Sequence, residues 1–179
     1  MFEARTKWLV SIGVALAVAA LAPLAYDAAV ADRNTIHPSY AFDVSNKRYM
    51  AGYSDAIFVG GVQAIEEVAP PYTRYRVTVE EVLKGELDES TVVRQHGYVS
   101  GNDVEVLDEQ PLLEVGESYV LMANPALEGE TSDLMLIGAP LAAVQTTDSN
   151  RGEIVRDIRE AIRNQEYPPG LAKKPTSAP

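Results

Sequence analysis

Residues Thr73 to Leu83 alternate so regularly that they fit only a strand with one buried face. Tyr75, Val77 and Val79 fall on one side, and Arg74, Arg76, Thr78 and Glu80 fall on the other. Beyond Val79 the apolar positions change parity, from odd numbers to the even-numbered Val82. One extra residue at Glu80-Glu81 accounts for the switch, which is the signature of a β-bulge. Lys84-Gly85 supplies the turn that follows.

The rest of the chain reads as more strands of the same kind. Ala56 to Val62 is an apolar run bounded by polar residues, and it continues through Ile65 to Val68 until Pro70-Pro71 ends it. The Gly60-Gly61 pair inside that run marks a bulge or a sharp bend, as at a barrel corner. Ser90 to Gln95 is a third strand, Gly97 to Asn102 has turn chemistry, and Ser118 to Ala123 is a fourth strand. Leu134 to Ile137 and Ala142 to Thr146 read as a fifth strand broken by Gly138-Ala139-Pro140. Asp103 to Gln110 is acidic and is either an edge hairpin or a loop. Two helices flank this set. Asp43 to Tyr53 is short, with Ser45 as its cap. The second has Asn150 and Glu153 spaced for a capping box, an apolar stripe of Ile154, Ile158 and Ile162, and Arg156 and Glu160 spaced for an ion pair. The fold expected is mainly β, a small OB-like antiparallel barrel with a short N-terminal helix and an amphipathic C-terminal helix.

The chain has no cysteine, so it is held by its hydrophobic core alone, and lipid attachment through cysteine, thiolate zinc sites and thiol nucleophiles are excluded. Arg5 and Lys7 precede an uncharged run of 19 residues from Trp8 to Tyr26, and Ala29-Val30-Ala31 follows. This is the layout of a secretory signal. The same run is long enough to span roughly 30 Å of hydrocarbon if it is retained as an anchor. Pro23 and the A-x-A site favour cleavage, and in either case everything after Ala31 is exported. The expected organisation is a signal peptide or anchor over 1–31, an exposed spacer over 32–42, a barrel domain over 43–166 and a disordered tail over 167–179. A net charge of −11 and a pI near 4.6 exclude nucleic acid as the partner. A membrane is reached only through the N-terminal segment, if that is uncleaved.

Between Ser54 and Gly138 the succession of motifs resembles a known pattern. Ser-Asp-Ala-Ile-Phe-Val-Gly is followed by Tyr-Arg-Val-Thr-Val-Glu-Glu-Val-Leu-Lys-Gly, then Val-Val-Arg-Gln-His-Gly, then Leu-Leu-Glu-Val-Gly-Glu-Ser-Tyr-Val-Leu. This resembles uncharacterised exported bacterial proteins whose barrel is similar to that of tissue inhibitors of metalloproteinases and netrin modules. The resemblance implies an OB-like barrel and covers about half of the chain. Those inhibitors chelate the protease zinc through an N-terminal cysteine. Here cleavage would leave Asp32 in that place, so no inhibitory residue carries over.

The chemistry-bearing residues are few. His37 lies in the spacer, and His96 sits at a strand end without a second histidine at metal-binding spacing. No G-x-S-x-G nucleophile turn occurs. Glu66-Glu67 and Glu80-Glu81 are adjacent on strands, which sends paired side chains to opposite faces unless a bulge re-aims one of them. Asp103, Glu105 and Asp108 could offer oxygens from one loop but lack the calcium-loop framework. No catalytic residue, cofactor or metal is expected. The candidate binding surface is Tyr72, Tyr75 and Tyr98 with Asp103, Glu105 and Asp108, since tyrosine is enriched in recognition surfaces. The function expected is an exported non-catalytic interaction module, inhibitor-like at most, that binds a protein or envelope component. The alternatives are an extracytoplasmic carboxylate-dependent hydrolase and a membrane-anchored accessory subunit of an envelope complex.

Overall fold

A computed structural model describes residues 32–107, 110–126 and 132–171. The proposed signal segment, Asp108 and residues 172–179 lie outside that range. Eight strands and two helices follow in order: β1 (Asp32–Ile36), α1 (Lys47–Tyr53), β2 (Ala56–Ala69), β3 (Tyr72–Lys84), β4 (Ser90–Ser100), β5 (Asp103–Leu107), β6 (Ser118–Pro125), β7 (Leu134–Leu136), β8 (Ala143–Thr146) and α2 (Arg151–Arg163). Among the described residues no helix is long and apolar enough to cross a membrane.

β2, β3, β4, β7 and β6 close into a five-stranded barrel. Neighbours are antiparallel except for β4 and β7, whose parallel pairing completes the ring. Numbered along the chain, the barrel strands run 1-2-3-5-4 and back to 1, the OB-like arrangement that the strand pattern suggests. The interrupted fifth strand is real: β7 and β8 pair in turn with the two halves of β6. The bulge is real as well. Val79 pairs with Gly60 and Glu81 with Val59, which leaves Glu80 as the extra residue. At Gly60 a side chain has no room, because a Cβ there would lie 2.5 Å from Val77 Cγ1.

Two cores share one wall. Phe58, Val62, Tyr75, Val77, Val93, Tyr119 and Leu121 fill the barrel. Ile57, Val59, Val120 and Met122 point outward from β2 and β6, under Met50 and Ala51 of α1 and Val155, Ile158 and Ala161 of α2. Burial on both faces explains why Ala56–Val59 and Val120–Ala123 read as unbroken apolar runs rather than alternations. One end of the barrel is clamped by the fully buried Gln95. Its Nε2 donates to the Pro111 carbonyl at 2.8 Å and its Oε1 accepts from the Leu113 N–H at 2.9 Å.

Several local expectations are corrected. The spacer over 32–42 contains β1, which pairs in parallel with β5 through its backbone. Its polar sequence carries no strand alternation. β4 runs on to Ser100, past the turn expected from Gly97. α1 is capped by Asn46, whose side chain accepts from the Arg48 and Tyr49 N–H groups, while Ser45 is engaged with Asp43. Asn150 does not cap α2. Its Oδ1 accepts from the Thr147 N–H in the preceding turn, so no capping box forms. Arg156 lies 3.9 Å from Asp157, in place of the expected Glu160 pair. The segment after α2 is docked: the Glu166 N–H donates to the Arg48 carbonyl, and the Tyr167 ring lies 6.4 Å from that of Tyr53. Gly52 permits this approach, because a Cβ there would lie 2.1 Å from the Glu166 carbonyl oxygen.

Candidate functional site

Across the β3–β4 pair, Tyr72 stands opposite His96, Arg74 opposite Arg94 and Arg76 opposite Val92. The intervening Thr73, Tyr75, Val77, Val93 and Gln95 are buried. Alternation therefore sends the first set to the outer face of the barrel wall. Tyr75 leaves the expected binding surface at this point. It is 1 % exposed and lines the interior, where burial pushes its phenol up to about 12. The alternation of β3 puts it with Val77, on the face opposite Arg74 and Arg76.

Tyr72, Tyr98, Asp103 and Glu105 lie along β3, β4 and β5. Tyr98 stands opposite Glu105 across β4–β5, and Asp103 stands opposite Ser100 on the same hairpin. The Glu105 carboxylate lies 3.4 Å from His96 Nε2 and accepts from Asn34 Nδ2 of β1 at 3.2 Å. The His96 ring in turn meets the Tyr72 ring edge-on, with centroids 5.4 Å apart. Tyr72, His96 and Glu105 thus form one connected band, with Tyr98 at the position paired with Glu105. Asp108 lies outside the described residues.

Beside this band is an arginine network that sequence reasoning missed. Asp133, just before β7, has a side chain 5 % exposed and accepts from Arg74 Nε at 3.0 Å and Arg94 Nε at 2.7 Å. Arg74 Nη1 donates to Glu67 at 2.9 Å, and Arg76 grips Glu66 through Nε and Nη2 at 2.8 and 2.6 Å. Burial raises the Asp133 carboxyl, but the hydrogen bonds from Arg94 and Arg74 outweigh it and hold the group below its ordinary 3.8. The bond to Glu67, then the one to Asp133, pushes the Arg74 guanidinium above its usual range. A cleft of roughly 430 Å³ opens alongside, between Arg76, Val92, Asp88 and Asp133. Arg74 was legible as an outward position of its strand, whereas Arg94 lies in a strand whose faces the sequence pattern leaves open. Nothing local to Asp133 announces its role, because its partners lie on other strands.

The strand pairs Glu66-Glu67 and Glu80-Glu81 are engaged by arginine. Glu66 and Glu67 bind Arg76 and Arg74, while Glu80 and Glu81 bind Arg151 and Arg159 of α2. The bulge does re-aim the Glu80-Glu81 pair, towards a helix. Among the described residues no three of His, Asp and Glu gather as a metal-binding group. What this face offers is aromatic edges and guanidinium planes on a rigid sheet. No family model matches the chain, and no curated protein matches it at a significant level.

Proposed function

We propose that this chain is an exported, non-catalytic binding module that engages a protein or another component of the cell envelope through the outer face of β3 and β4. The observation that carries the reading is the uneven covering of the barrel. α1 and α2 pack over the outer wall formed by β2 and β6. Tyr72, Arg76 and Tyr98 on the outer face of β3 and β4 remain at least partly exposed. Arginine and tyrosine are the residue types that dominate binding energy in protein interfaces, and here they stand on strands rather than mobile loops. The hydrolase alternative asks for converging carboxylates free to exchange protons, and the pairs Glu66-Glu67 and Glu80-Glu81 are each committed to arginine. The likeness to the inhibitor and netrin barrels enters only as a fold-level analogy.

The test is recovery of the full-length protein from intact envelope with its partners cross-linked. The wild-type chain is expected to bring down a specific component, and the double variant Arg76→Ser, Tyr98→Ala is expected to lose at least tenfold of it while melting normally. Undiminished capture by that variant overturns the assignment of the face. Intact mass decides the export route. Protein released from the cell is expected to begin at Asp32, whereas residues 1–31 retained in a carbonate-resistant pellet would make the chain an anchored subunit.

A further inference from the structure

α2 sorts its charges onto two flanks. Val155, Ile158 and Ala161 face the barrel. A step of about 100° per residue then gathers Arg156, Arg159 and Arg163 on one side and Glu153, Asp157 and Glu160 on the other. The arginine flank borders a cleft of roughly 530 Å³, whose lining also includes Arg151, Asp148 and Glu81 of the β3 bulge. Gly152 lies in the lining too, and a Cβ there would meet nothing within 4 Å, so the cleft stays open at that point.

The guanidinium groups in this cleft are not equivalent. Arg151 is engaged by Glu80 and Glu81, and Arg159 donates to Glu81 at 2.5 Å, so the bulge fixes where both point. Arg156 has only Asp157 at 3.9 Å, with a side chain 69 % exposed, and Arg163 has no ion pair among the described residues. Two cations that the bulge does not hold therefore flank a positioned one, and the outer two are seven residues, or about 10 Å, apart along the helix. A single small anion does not span that distance. Planar guanidinium forks match phosphate oxygens two at a time, so the chemistry that fits is a short chain of phosphates. A net charge of −11 opposes long polyanions at a distance, which favours a compact ligand.

We propose that the cleft between α2 and the β3 bulge binds a phosphate-bearing oligoanion, gripped by Arg156, Arg159 and Arg163. This site lies apart from the β3–β4 face and does not depend on its role. Inorganic tripolyphosphate, titrated calorimetrically into the intact exported protein, is the probe. Saturable binding is expected, and Arg156→Gln with Arg163→Gln should weaken it at least tenfold without moving the melting temperature. Glu153→Gln with Glu160→Gln, on the opposite flank, should leave it undiminished. No binding, equal binding of orthophosphate, or indifference to the arginine double variant each overturns the proposal. Co-sedimentation with vesicles of an anionic phospholipid distinguishes the source. Vesicle binding that tripolyphosphate displaces supports the site with a lipid headgroup as its ligand. A lack of vesicle binding, with tripolyphosphate still bound, supports it with a soluble ligand. Vesicle binding that tripolyphosphate cannot displace counts against it.

Discussion

Val77→Asp is expected to leave little folded protein at room temperature, while Arg76→Asp, one residue away, is expected to cost under about 1 kcal/mol. The two side chains leave the same strand in opposite directions. Val77 is fully buried, paired across the sheet with Val62 and Thr91, and its Cγ1 occupies the space left by Gly60. A carboxylate there would be desolvated with no buried cation among the described residues to meet it, at a cost of several kcal/mol. That is a large part of the roughly 5–15 kcal/mol that holds a domain together. Arg76 is an exposed partner of Glu66. Replacing it exchanges an attraction for a repulsion in water, where each is weak. Urea titrations of both variants measure the contrast, and equal losses would mean that the two faces of β3 have been misassigned.

The same strand shows why so much of the barrel could be read from the chain. Alternation in β3 is visible because one face meets the core and the other meets water, and the single extra residue at Glu80 left its mark as a change of parity. β2 and β6 announced themselves differently, as unbroken apolar runs, because helices cover their second face. What stayed hidden depends on partners distant in sequence. β1 is held to β5 by backbone pairing and by the Asn34–Glu105 hydrogen bond, neither of which requires an alternating pattern. One miss is local instead: Asn46 and Ser45 are equally good caps by type, and the Asp43 turn two residues before Ser45 decides between them. Tyr167, in a proline-rich stretch that reads as tail, finds Tyr53 only once α1 and α2 lie side by side. Asp133 belongs to this second group, and it has the larger consequence for the proposed face.

Asp133→Asn is expected to destabilise the protein by about 2 kcal/mol at neutral pH. Asparagine keeps the shape and one acceptor oxygen but removes the charge that answers Arg74 and Arg94. Breaking a fully buried pair costs about 3–5 kcal/mol. The lower figure applies because the two arginine side chains are 26 % and 17 % exposed, so water reaches them and screens the loss. The pH dependence separates charge from packing. The Asp133 carboxyl is held below its ordinary 3.8 in the folded protein, so the unfolded chain takes up the proton first as the solution is acidified. The group's contribution is therefore fully present above pH 3.8 and is lost as pH falls below that value through the depressed one. The stability gap between wild type and Asp133→Asn should be constant from neutral pH down to about 5 and should then narrow in stronger acid. Urea titrations of the two proteins between pH 7 and pH 3 provide the measurement. A gap that does not narrow would locate the effect in packing around β7, and the arginines of the β3–β4 face would then not depend on Asp133 for their positions.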